Sequence, residues 1–162
     1  MTENTKKEIP TIDIRIDKDG VWYYKGNEMF RKDIVELFHQ SLERDQAGRY
    51  LIKKNEEAFY IDVEDVPYAV SSIEYSFNEK EAACFNMLLS DNSVEELDPA
   101  TLHIGKENVL YCSVKNNLFE ARFTRKSYYQ LAEYIKYDSE KDRYYITLND
   151  RLYEISSKSQ SN

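Results

Sequence analysis

Two adjacent cations, Arg31-Lys32, stand where the aromatic stretch WYYKGNEMF passes into an amphipathic run, and a second pair, Arg125-Lys126, stands at the same kind of join in LFEARFTRKSYYQLAEYI. A cation at the start of a helix opposes the macrodipole, at a cost of a few tenths to about 1 kcal/mol. Something must offset that cost. A local carboxylate would do so: Asp33 or Glu28 beside the first pair and Glu120 beside the second, with the lysine stem lying over apolar surface. An anionic ligand would also do so, because free backbone N–H groups, the dipole and an arginine fork together make a phosphate or carboxylate site. Only the first pair has an indole, Trp22, on the strand leading in; the second has Asn116 at the matching offset. Of the two pairs, the first is the better place for a ligand with a base and a phosphate. The candidate binding residues are Trp22, Tyr24, Arg31, Lys32, Asp65, Tyr68 and Arg125.

Other chemistry finds less support. The four glycines, Gly20, Gly26, Gly48 and Gly105, are isolated, whereas a Walker or dinucleotide phosphate loop needs several close together. The stretch DKDG at 17–20 resembles a calcium loop, but Val21 and Trp22 fall where a ligand and the obligatory glycine belong, so it reads as a tight turn. Glu64 and Asp65 are adjacent, and consecutive strand side chains face opposite ways; Asp65 caps the turn into Pro67 or accepts from a ribose or a partner arginine. His39 and His103 have no second ligand or nucleophile at usable spacing. Cys84 and Cys112 lack CxxC or Cys/His spacing and read as reduced core residues. No metal, no cofactor and no catalytic residue is expected, and the chain reads as a non-enzyme.

The elements that carry these residues follow from periodicity. Ile12, Ile14 and Ile16 alternate with Asp13, Arg15 and Asp17, the pattern of a half-buried strand. Val21–Tyr24 is a second strand. From about Arg31 to Arg44 the period becomes helical, with Ile34, Leu37, Phe38 and Leu42 on one face. Gly48 suits a left-handed residue after it, and YLIKKNEEAFYIDV reads as a hairpin with Phe59, Ile61 and Val63 inward. The grammar then repeats: Arg31, Lys32, Leu37, Arg49, Tyr50, Ile52, Asn55 and Ile61 recur 94 positions on as Arg125, Lys126, Leu131, Arg143, Tyr144, Ile146, Asn149 and Ile155. This predicts a duplicated strand-strand-helix-strand-strand unit. Between the copies lie two strands, YAVSSIEYSF and EAACFNMLLS, and a loop, DNSVEELDPATLH. The expected class is α+β, with two lobes of antiparallel sheet, each with a helix. The first lobe spans 10–66 and the second 67–157, with disordered tails at 1–9 and 158–162.

Composition narrows the partners. A chain of 162 residues with 41% hydrophobic and 32% charged residues is long enough to bury a core without a disulfide or metal. Its 14 tyrosines suit small sheets with one wet face. A net charge of −8 argues against a nucleic-acid duplex, which needs a stripe of lysine and arginine. There is no apolar run of spanning length, so a soluble, cytoplasmic protein with no membrane partner is expected.

The stretches IDKDGVWYYKGNEMFRKDIVELF and GRYLIKKNEEAFYIDVEDVPY carry D-G-x-W-x-Y-x-G, then R-K and I-V-x-L-F, then V-E-D-V-P-Y. This resembles a bacterial family catalogued as domain of unknown function 1285, over about residues 12 to 155. The second half departs from it, since the family tends to finish with a glycine- and aromatic-rich strand pair where RYYITLNDRLYEIS stands. The resemblance implies a duplicated core, a C-terminal lobe similar to pleckstrin-homology folds, and a nucleotide-like ligand at the lobe interface with a role in signalling. The expectation is thus a ligand-binding sensory or regulatory module; the alternative is a protein-interaction module without a small ligand.

Overall fold

The computed structural model describes residues 8–157; of the expected tails, residues 1–7 and 158–162 lie outside this range. The chain forms two compact units, one of residues up to Asp17 together with Val21–Asp65, the other of Lys18–Gly20 together with residues from Val66 onward.

The first unit runs β1 (Thr11–Ile16), β2 (Trp22–Tyr24), β3 (Asn27–Glu28), α1 (Lys32–Gln40), β4 (Leu42–Arg44), β5 (Tyr50–Lys54) and β6 (Glu57–Val63). Alternation along β1 sends Ile14 and Ile16 into the core with Trp22, Leu42, Leu51, Ile52 and Ile61. The helix is shorter than its periodicity predicts. Ser41 Oγ donates to the Leu37 carbonyl at 2.9 Å, and Leu42–Arg44 turn away to pair with β5, Leu42 opposite Ile52 and Arg44 opposite Tyr50. Leu42 satisfies a helical and an extended pattern equally, and cross-strand pairing decides between them. Gly48 takes the left-handed conformation at φ +85°, letting Asp45 accept the backbone N–H groups of Ala47 and Arg49 at 3.0 and 2.8 Å.

The second unit runs β7 (Tyr68–Phe77), β8 (Ala83–Leu89), β9 (Val94–Glu96), β10 (His103–Ile104), β11 (Leu110–Val114), β12 (Phe119–Phe123), α2 (Arg125–Ala132), β13 (Lys136–Asp138), β14 (Arg143–Leu148) and β15 (Arg151–Ser157). The stretch expected as one loop after β8 therefore holds β9, a 3₁₀ turn at Pro99–Thr101 and the start of β10. Asp98 caps that turn by accepting the Ala100 N–H at 3.1 Å. Lys115 ties the added strands to the β11–β12 turn. Its ammonium donates to Asp91 at 2.7 Å and Ser93 at 2.9 Å, and lies 3.7 Å from Glu95. Burial would raise the Asp91 carboxyl, but the hydrogen bonds from Lys115 and Ser93 outweigh it and hold the group below the usual range.

The class is α+β, but neither sheet is purely antiparallel. In the first unit β1 lies antiparallel to β2 and parallel to β6; in the second β10 lies antiparallel to β11 and parallel to β15, and β12 runs parallel to β7. In each, the chain moves outward from the first strand, crosses through the helix and returns from the far edge, so the last strand lands beside the first in the same direction; in the second sheet β12, the strand before the helix, is itself covered by β7.

Strand order is shared. The sequence β3-β2-β1-β6-β5-β4 across the first sheet recurs as β12-β11-β10-β15-β14-β13 in the second, with β7, β8 and β9 continuing beyond β12. The last hairpins pair in one register: Leu51 with Tyr60 and Ile52 with Phe59 in one, Tyr145 with Glu154 and Ile146 with Tyr153 in the other. Asn55 and Asn149 both open their turns at positive φ, 58° and 52°. The opening strands match too. Arg15 faces Tyr23 and Asp62 as His103 faces Tyr111 and Ser156, and Ile16 faces Trp22 and Val63 as Ile104 faces Leu110 and Ser157. Leu110, not Asn116, thus occupies the place of Trp22: the β11–β12 hairpin is longer than β2–β3, so the 94-residue offset of the second half does not hold in the first.

Candidate functional site

The two cation pairs sit at helix starts, as their sequence places them, but their surroundings differ. Arg31 is the N-cap of α1, in extended backbone at φ −77° and ψ 98°. Its guanidinium forks onto the Asp33 carboxylate, Nε to Oδ1 at 3.1 Å and the terminal nitrogen to Oδ2 at 2.8 Å. That hydrogen bond holds the Asp33 carboxyl below the usual range and raises the guanidinium still further. A carboxylate in the first helical turn is the offset the macrodipole requires. In the second unit Thr124 is the N-cap, its Oγ1 accepting the Ser127 N–H at 3.2 Å, and Arg125 is the first helical residue. Glu120 does not serve Arg125; it lies 3.7 Å from His103 Nε2, on a strand whose neighbour holds that ring stacked on Tyr111. Among the described residues Arg125 makes no ion pair.

The other predicted residues do not form one cluster. Trp22 is 2% exposed, its indole packed 4.9 Å from the His39 ring and 6.1 Å from Phe38, so both faces belong to the core. Tyr24 is exposed, with Lys25 over its ring at 5.3 Å, and Lys32 is exposed on the first turn of α1. Asp65 is half-buried in the bend after β6, beside Glu64, which pairs with Arg15 at 3.6 Å. Tyr68 is buried in the second unit against Phe119, with Lys115 over its ring at 5.3 Å; burial, then Asp91 and Glu95, push its hydroxyl up. His39 and His103 are buried ring-packed groups, and Cys84 and Cys112 are buried and free. Among the described residues no cluster of three metal-ligating side chains forms, and no helix is long and apolar enough to cross a membrane.

The concave feature of the molecule that meets Arg125 lies within the second unit, between α2 and the sheet. A hollow of about 370 Å³ is walled by Ile104, Leu110, Ala132, Ile135 and Ile155 and flanked by Tyr128 and Tyr144. It continues past Asn108, Leu110 and Tyr128 into a second hollow of about 340 Å³, where Arg122, Thr124 and Arg125 meet Glu107 and Tyr129. Volumes of this size hold small ligands. The rim loop is conformationally special, since Glu107 and Asn108 both take positive φ, 59° and 61°.

The comparison with known proteins places the chain. Residues 5–66 match the family model for the domain of unknown function DUF1285, N-terminal domain. The first unit is thus similar to the DUF1285 N-terminal domain. A DUF1285 family protein from Silicibacter pomeroyi DSS-3 has a similar structure, with a TM-score of 0.74 at 20% identity over 90% of this chain and 80% of that one. A DUF1285 family protein from Shewanella baltica OS155 is similar with a TM-score of 0.60 at 17% identity, over 74% of this chain and 90% of that one. No curated protein matches the chain. These likenesses extend the DUF1285 fold over both units of the chain.

Of the seven candidate residues, Arg125 lies on the hollow. Sequence reasoning missed Ile104, Asn108, Leu110, Arg122, Tyr128, Tyr144 and Ile155 as its lining. One signal was available: the second unit has no tryptophan anywhere, so the place that Trp22 fills in the first must hold something smaller.

Proposed function

We propose that the protein is a non-enzymatic sensory or regulatory module that binds a small anionic ligand in its C-terminal unit. The observation that carries this reading is the pair of adjoining hollows beside α2, one walled by Ile104, Leu110, Ala132, Ile135 and Ile155 with Asn108 and two tyrosines, the other bordered by Arg122 and Arg125. Apolar walls provide affinity for a ligand body, and a guanidinium beside a helix N-terminus orients an anionic head. Arg31 is a weaker anion receptor because Asp33 already occupies its fork. The shared strand order and registers support a duplicated motif, in which one copy keeps a packed core and the other opens a site. A pleckstrin-like build of the second lobe and a role in signalling belong to the same proposal. A protein-interaction module is the second reading, favoured by two exposed apolar residues, Phe30 ahead of α1 at 79% and Leu37 on it at 36%.

The test is thermal unfolding against a panel of nucleotides, phosphate and organic acids. A ligand that binds only the folded state stabilises it by about 2.7 kcal/mol at a hundredfold excess over Kd. The parent protein gains stability from at least one anion, and Arg125→Ala loses most of that gain while Arg31→Ala keeps it. A panel without any shift removes the ligand reading and leaves the interaction module.

A further inference from the structure

The two units differ in what fills the layer between helix and sheet, and that difference gives the shape of the ligand. In the first unit the indole of Trp22 lies there, edge-on to His39 and tilted against Phe38. In the second unit the strand registers put Leu110 in the tryptophan's place, and with the helix N-caps Arg31 and Thr124 aligned, Leu131 and Ala132 stand where the first has Phe38 and His39. Three rings have become two leucines, Leu110 and the buried Leu131, and the methyl group of Ala132. The walls that remain are those suited to a planar ring: Ile104 and Ile155 stand where Ile16 and Ile61 stand in the first unit, and Tyr128 and Tyr144 flank the opening.

The mouth sets the charge. Arg125, which makes no ion pair among the described residues, stands there beside Arg122 and Glu107, and one uncommitted guanidinium matches a monoanion better than a phosphate bearing two charges. Within the chamber Asn108 and the hydroxyls of Tyr128 and Tyr144 stand beside Ile104, Leu110, Ala132, Ile135 and Ile155, so a ligand there meets both apolar walls and polar partners.

Resting on the ligand-binding reading above, we infer that the second unit binds a bicyclic aromatic monocarboxylate, its ring taking the place that Trp22 fills in the first unit and its carboxylate meeting Arg125. The ring is enclosed by Leu110, Ala132 and Ile155, and the carboxylate reaches the adjoining hollow past Tyr128.

Isothermal titration calorimetry on the full chain tests this with indole-3-acetate as probe, beside indole-3-acetamide, AMP and inorganic phosphate. Indole-3-acetate binds, and the neutral amide binds at least tenfold more weakly. Arg125→Ala lowers the acid's affinity at least tenfold and leaves the amide's nearly unchanged. Ala132→Phe, which restores a ring to the layer, abolishes binding of both while circular dichroism stays that of the parent. Ala132→Leu, a smaller fill that guards against misfolding of the first variant, weakens both in the same sense. If Ala132→Phe folds and binds as the parent does, the ring is not in this hollow and the inference fails. If AMP or phosphate binds in an Arg125-dependent way and the acid does not, the inference fails while the anion-binding reading stands. Binding of none of the four overturns the inference, and the wider anion panel then decides the reading itself. If Ala132→Phe instead changes the oligomeric state in size-exclusion chromatography without ligand, the hollow is covered by a second copy and the inference also fails.

Discussion

The first unit closes the space between its helix and its sheet with Trp22, Phe38 and His39; the second, with the same strand order, leaves that space open around Leu110 and Ala132. Each solves the stability problem differently. A small six-stranded sheet has little else to bury, so its one tryptophan is a core group. The second unit adds β7, β8 and β9, whose Val70, Phe85, Met87 and Leu89 are buried, and α2 leans on β7 through Gln130, which accepts the Ile73 N–H at 2.8 Å. With a core elsewhere, the layer under α2 packs through aliphatic side chains, Leu131 and Leu110 among them, with no ring at the places that Trp22, Phe38 and His39 hold in the first unit. Their difference teaches that a hollow can arise by replacing rings with smaller side chains in a layer that the fold keeps.

The largest expected effect is in the first unit. Trp22→Ala costs about 3–5 kcal/mol in urea unfolding, as a buried aromatic truncated without collapse does. Leu110→Ala, at the equivalent place, costs about 2 kcal/mol, the low end for buried leucine, because its side chain already borders open space. Equal costs would break the comparison.

Next is Lys115→Met, which leaves Asp91 and Glu95 facing each other without their cation. The side chain of Lys115 is 26% exposed, so the loss is below that of a fully buried pair, about 2–3 kcal/mol at neutral pH. The sign with pH follows from the lowered Asp91 carboxyl. Its stabilisation is present above the unfolded value near 4 and is lost as pH falls through the lower folded value. Urea midpoints of parent and variant therefore converge below about pH 4. A constant gap across that range would show that the added strands are not held by this cluster.

Ala132→Phe is expected to stabilise the ligand-free protein by about 0.5–2 kcal/mol, in the manner of a filled cavity. A loss of several kcal/mol would mean that the layer under α2 is already packed. Smallest is Arg31→Ala, whose partner Asp33 is equally solvent-exposed. Its melting temperature stays within the scatter of repeat measurements, because exposed ion pairs contribute little.

Much of this architecture was legible in the sequence. The strand of alternating isoleucines, the left-handed Gly48 and the two asparagine turns at Asn55 and Asn149 are local signals, and each forms where its residues indicate. The end of α1 was not legible, because Leu42 fits both periods and the pairing partner that decides lies in β5. Nor were β9 and β10, which are too short to show alternation. The cation pairs were visible, but the reason they differ was not: Asp33 occupies Arg31, whereas Glu120 turns to His103. The hollow itself is made of missing atoms. Missing atoms leave no periodicity, and their position emerges only when strand register aligns Leu110 with Trp22.

The most direct test of the central contrast is a two-dimensional amide NMR titration of the full chain with indole-3-acetate. The account predicts saturable shifts in the amides of Ile104, Leu110, Arg125, Tyr128, Ala132 and Ile155, with the indole N–H of Trp22 and the amides of Phe38 and His39 unmoved. Shifts centred on Trp22 and α1, with α2 silent, would contradict it.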